Sequence, residues 1–132
     1  MVLSDSVPEV VQKLRENVEL NHMQARCDVE RLDWSEGTRG QLYDLILASD
    51  VMYEPEAMPS LAVFVAQALS PKGLFIAISA DTRAGLSVFQ AEIAKNEAVM
   101  RAEVQPVPPE HLMDGGGSGD TFVLLTVRRA AA

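Results

Sequence analysis

Apolar positions follow two rhythms along the chain, and each change of rhythm marks an element. Val2 and Leu3 ahead of Ser4-Asp5-Ser6 read as the end of a strand. Val7, Val11, Leu14 and Val18 then recur at steps of four, three and four, the buried stripe of a helix that runs to about Asn21. Ser6 with Glu9 three residues later predicts a capping box, and Pro8 suits a first helical turn, where a missing N–H costs nothing. Beyond it Ala25, Cys27 and Val29 alternate with Arg26, Asp28 and Glu30. That period of two predicts a half-exposed strand near a sheet edge, ending at Leu32-Asp33-Trp34.

The run Leu45-Ile46-Leu47-Ala48 is continuous, which predicts a parallel strand buried on both faces, and it turns polar abruptly at Ser49-Asp50. Residues 35–41 form a bare loop, just long enough when extended to return the chain for a parallel strand. Met58, Leu61, Ala62, Val65 and Leu69 mark a helix face stopped by Ser70-Pro71-Lys72-Gly73. Leu74–Ser79 is a buried strand with Asp81 at its end, and Gly85 to about Glu97 is helical with Phe89 and Ile93 on one face. Val99–Val107 and Thr121–Arg128 are strands, joined by a long proline- and glycine-rich loop that makes them antiparallel neighbours. The order β-α-β-β-α-β-α-β-β predicts a three-layer α/β fold, a mostly parallel Rossmann-like sheet closed by a C-terminal antiparallel hairpin.

A length of 132 residues predicts a single domain with a real core. No run approaches the ~18 apolar residues of a membrane span, and MVLSDSVPEV has neither the basic nor the apolar region of a secretory signal. One cysteine, Cys27, forms no intramolecular disulfide, in keeping with a reducing, cytoplasmic setting. A net charge of −8 argues against nucleic acid as the main partner.

Most of the chemistry-bearing motifs fail on context. The glycine tract 115–119 precedes a strand, whereas a phosphate loop opens a helix, and it reads as a mobile loop. His22 and His111 lack the neighbours a metal site needs, and no serine stands in a nucleophile elbow. Asp5, Asp50 and Asp81 each end a strand, as in a phospho-receiver domain, but none of Lys13, Lys72 and Lys95 comes after the last strand as that chemistry requires. What remains is a row along one sheet edge, the crevice in which open α/β sheets hold ligands: Asp5, Asp33 with Trp34, and Ser49-Asp50 with Tyr53. Trp34 either covers the core or walls a planar ligand such as a purine. Asp50 and Tyr53 either start the next turn or form a site.

At these residues the chain resembles the seven-stranded S-adenosylmethionine-dependent methyltransferases, and more closely the family-16 protein-lysine methyltransferases. The matching segments are LSDS followed by LRENVELN (Ser4 to Asn21), RLDW (Arg31 to Trp34), LYDLILASDVMYEPE (Leu42 to Glu56) with its Asp-x-x-Tyr motif, and LSPKG (Leu69 to Gly73). The resemblance implies that Asp5 binds the ribose of the cofactor S-adenosylmethionine, that Asp33 and Trp34 border its adenine, and that Ser49 lines the same pocket. It implies further that Asp50 and Tyr53 are catalytic and that the acceptor is a lysine of a protein substrate. The family's first strand and glycine-rich loop are not in the sequence. In that fold this strand lies between those ending at Asp5 and Asp50, so its absence leaves two open sheet edges and predicts a truncated family member. An alternative is a non-catalytic remnant that binds proteins or self-associates through those edges. A nucleotide-binding oxidoreductase ranks third, since the terminal hairpin and Asp-x-x-Tyr argue against it.

Overall fold

Residues 1–95, 100–108 and 121–130 are described by a computed structural model, in which the chain divides into two compact units, Met1–Gly37 and Thr38–Ala132. In the first unit, β1 (Val2–Asp5) leads through α1 (Pro8–Leu20) to β2 (Asp28–Arg31). The two strands are parallel, with Val2 opposite Asp28 and Asp5 opposite Arg31. Of the predicted helix stripe, Val11 and Val18 are buried, Leu14 is half-buried and Val7 is exposed.

The expected capping box does not form. Val7 occupies the N-cap of α1, with Pro8 in the first turn, so Ser6 lies one residue too early to cap. The carboxylate of Asp5 serves this turn instead, accepting from the Val7 amide at 2.8 Å. The second strand also begins later than its alternation predicts. Arg26 and Cys27 both donate to the Met23 carbonyl, at 2.8 and 2.9 Å, and this turn takes up the residues before Asp28.

The second unit is built on a sheet of order β3-β4-β6-β5. Its elements are β3 (Tyr43–Ser49), a 3-10 turn (Pro55–Ala57), α2 (Met58–Ala68), β4 (Leu69–Ala80), α3 (Ala84–Ala94), β5 (Met100–Pro106) and β6 (Phe122–Arg129). β3 and β4 are parallel, while β6 runs antiparallel to both of its neighbours, so the predicted hairpin pairing is present. The expected extension of α3 to Glu97, the start of β5 at Val99 and the glycine tract lie outside the described residues.

One face of this sheet carries the core. Phe75, Ala77 and Ser79 of β4 and Leu125 and Val127 of β6 are buried there, with Leu61 and Val65 of α2 and Phe89 and Ile93 of α3. The Phe75 and Phe89 rings meet at 5.7 Å in a tilted pair, and each buried aromatic contributes roughly 1.5–3 kcal/mol. Arg129 holds the assembly from β6, donating to the carbonyls of Ala66 at 2.9 Å and Leu69 at 3.0 Å, where α2 ends and β4 begins.

Two expectations for this unit are corrected. The run in β3 is not buried on both faces: Leu45 is 52% exposed and Leu47 68%. An apolar run reports a strand's preference but not whether anything covers each side, and among the described residues β3 pairs with β4 alone. Nor does Ser70-Pro71-Lys72-Gly73 separate helix from strand. β4 starts at Leu69, Tyr43 faces Leu69 while Leu45 faces Leu74, and the extra residues are taken up as an irregularity within the strand. Gly73 is required at this irregularity, because a Cβ there would lie 2.8 Å from the Tyr43 carbonyl oxygen.

Candidate functional site

In the second unit the carboxyl ends of the parallel strands β3 and β4 bring three of the expected residues together. Ser49 is the last residue of β3, exposed and opposite Ile78. Asp50 leaves the strand with φ 51° and donates its amide to the Ile78 carbonyl at 2.8 Å. A left-handed backbone is uncommon for a side chain other than glycine, although aspartate and asparagine tolerate it better than most. It turns the chain sharply and leaves the carboxylate half-buried at the strand's end.

That carboxylate is engaged by Arg83, a residue that no pattern in the sequence singles out. Arg83 Nε donates to Asp50 Oδ1 at 2.7 Å and Nη2 to Oδ2, a two-pronged ion pair. The signal is present but nonlocal: Asp50 lies just past β3 and Arg83 just past β4, and adjacent parallel strands deliver the residues beyond their carboxyl ends to the same edge. Asp81, also at the end of β4, accepts from the Thr121 hydroxyl and so is tied to the start of β6. Tyr53 is 59% exposed, and its hydroxyl makes no hydrogen bond to a described residue. Between them Met52 is fully buried and anchors the turn.

The first unit brings together the other three. The Leu32 amide donates to the Asp5 carbonyl at 3.0 Å, so β1 and β2 finish side by side with Asp5 and Asp33 at the same end. Asp33 Oδ1 accepts from the Ser35 hydroxyl at 2.6 Å and from its amide at 2.9 Å. The Ser35 side chain first, then its amide, hold the Asp33 carboxyl below the usual aspartate range, and Arg31 adds a smaller pull. Trp34 is half-buried and opens a 3-10 turn ending at Gly37. Asp5 and Asp33 offer carboxyl oxygens that accept hydrogen bonds, and Trp34 offers a half-buried indole that can stack on a flat ring. Among the described residues no group of three or more His, Cys, Asp or Glu is arranged to hold a metal ion. No helix among them is long and apolar enough to cross a membrane.

Comparison with known proteins decides the family. A family model described as lysine methyltransferase matches residues 1–101, a span that includes both groups of residues. The chain belongs to the lysine methyltransferase family. No curated protein matches it by sequence.

Solved structures share the family's Rossmann-like fold. The mitomycin 7-O-methyltransferase MmcR is 20% identical, with a TM-score of 0.69 over 98% of this chain and 41% of its own. A protein of Pyrococcus horikoshii is 14% identical, with a TM-score of 0.71 over 98% of this chain and 71% of its own. The O-methyltransferase of a trans-AT polyketide synthase multienzyme of Brevibacillus brevis, crystallised with S-adenosyl-L-homocysteine, is 15% identical, with a TM-score of 0.68 over 98% of this chain and 58% of its own. The chain thus spans 41–71% of the length of these three.

Proposed function

We propose that this family member belongs to an S-adenosylmethionine-dependent methyltransferase whose acceptor is a lysine side chain of a protein. The cofactor follows from the family and from the neighbour that carries S-adenosyl-L-homocysteine. The observation that carries the reading is Asp50, turned out of the end of β3 by a left-handed backbone and followed three residues later by the exposed Tyr53. Asp5 would accept from the ribose hydroxyls, Asp33 and Trp34 would border the adenine, and Ser49 would line the cofactor pocket.

When bound, the cofactor supplies a methyl group on a positively charged sulfur. Transfer of that methyl group from sulfur to the lysine nitrogen would ask of this chain's residues alignment of the acceptor and a neutral amine. Lysine arrives as an ammonium. The Asp50 carboxylate and the Tyr53 hydroxyl would orient it and help it shed a proton, leaving the nitrogen lone pair free to attack. A net charge of −8 favours approach of such a cationic partner.

The test is a thermal-unfolding titration with S-adenosylhomocysteine, followed by transfer assays. Native-state binding at a hundredfold excess over the dissociation constant adds about 2.7 kcal/mol of stability. Asp50→Asn and Tyr53→Phe are each expected to lower transfer by about 10²-fold or more while preserving the melting temperature. Unchanged turnover in either variant sinks its assignment.

One observation favours a second reading, a binding module without catalysis. The outer edge of β3 has no paired strand among the described residues, and Leu45 and Leu47 are exposed on it. An open parallel edge with apolar side chains is a template for strand addition or self-association. A mass that rises with concentration, together with a cooperative melt that ignores S-adenosylhomocysteine, selects this reading over the first.

A further inference from the structure

Asp50 and Tyr53 bracket a short turn, and that turn is anchored at two points on the entrance to α3. The first is Arg83, the N-cap residue of α3, whose guanidinium meets both oxygens of the Asp50 carboxylate. The second lies two residues further on. The Gly85 amide donates to the Met52 carbonyl at 3.0 Å, and a Cβ at position 85 would stand only 2.5 Å from that oxygen. The approach therefore depends on glycine. Met52 is buried completely, so the middle of the turn is fixed while Asp50 is half-buried and Tyr53 projects outward.

We propose that Arg83 is the positioning residue for Asp50, setting the plane and direction in which its carboxylate meets an incoming lysine ammonium. This rests on the reading of Asp50 as the residue that receives the acceptor. An ionised carboxylate offers about four lone-pair sites. The guanidinium fork engages one on each oxygen and leaves the others for a second cationic donor. A planar fork fixes the carboxylate's rotation, which a lysine's point charge would not. The pair spans 33 residues of sequence, so it joins the ends of two strands and is no incidental neighbour contact along one helix. Its side chains are 40% and 46% exposed, which limits its effect on stability and leaves orientation as its main consequence.

The experiment uses the 132-residue chain, Arg83→Met, Arg83→Lys and, should the Met variant fail to fold, Arg83→Gln. Two quantities are measured by NMR: hydrogen exchange of the amides of residues 50–53, and binding of n-butylammonium, which carries the head and stem of a lysine, read at the Asp50 carboxyl carbon and the Tyr53 ring. The proposal expects Arg83→Met to speed exchange in the turn at least tenfold, to leave exchange in β4 unchanged and to weaken butylammonium binding severalfold. Arg83→Lys should recover part of the exchange protection and little of the binding. Unchanged exchange in Arg83→Met overturns the proposal. So does tighter butylammonium binding in that variant, which would make Arg83 a competitor of the acceptor. Failure of the underlying reading gives a different pattern, in which exchange responds as expected but butylammonium perturbs neither Asp50 nor Tyr53 in the unaltered protein. That pattern upholds the clamp and removes Asp50 from the chemistry.

Discussion

The carboxylates at the strand ends differ in what already holds them. Asp33 is held by Ser35 through a hydroxyl and an amide, which favours the ionised form. A carboxyl with a depressed folded-state pKa contributes stability that is present above its unfolded value and is lost as pH falls through the folded one. Ser35→Ala is therefore expected to raise the Asp33 midpoint toward that of a free aspartate and to flatten the acid limb of the stability curve. Carbon-13 titration of the Asp33 carboxyl with acid unfolding checks both; a midpoint that does not move would mean that the Ser35 hydroxyl is not its cause. At Gly85 the limit is steric, since an added Cβ runs into the Met52 carbonyl. Gly85→Ala should destabilise the protein by about 1–3 kcal/mol, measured by chemical denaturation, with the largest amide shifts in residues 50–53. At this scale the sequence exposes Asp50 and Tyr53 because a polar pair after an apolar run stands out locally. Arg83 stays hidden because its significance comes from the pairing of β3 with β4, which no local window contains.

Among the elements, continuous patterns reveal identity better than surroundings. The helices announce themselves through spacing, and Phe89 and Ile93 of α3 are buried as their positions predict. The apolar run of β3 is legible as a strand, but its exposure is not, because one uncovered face and an edge left open among the described residues are properties of its neighbours. The same limit explains Ser70–Gly73, whose turn-forming residues are absorbed into β4 by pairing with β3. Substitutions should separate the two faces cleanly. Phe75→Ala, fully buried against Phe89, is expected to cost about 3–5 kcal/mol. Leu47→Thr, at a site 68% exposed, should change stability by no more than about 0.5 kcal/mol while raising solubility. Urea unfolding of both variants checks the contrast; a loss above about 2 kcal/mol at Leu47 would show that its face is covered in solution.

For the molecule as a whole, the element order and the α/β class are legible because each segment's rhythm agrees with its neighbours'. The division at Gly37 is not, since contact density is set by how many elements converge, which a sequence pattern does not count. The first unit has one helix and a pair of short strands, too little to bury a core by itself. A peptide of residues 1–37 is expected to give a disordered circular dichroism spectrum; a cooperative melt would contradict this. Strand order in the second unit carries a consequence for its biosynthesis. β6, made after both of its neighbours, sits inside the sheet between β4 and β5, and its Arg129 ties off the end of α2. Neither β4 nor β5 has its shared neighbour until that strand leaves the ribosome. The nascent chain thus carries the apolar segment Leu74 to Ala80 with an open flank until Phe122 to Arg129 has been made, and a stall before Phe122 would release a product that chaperones must hold.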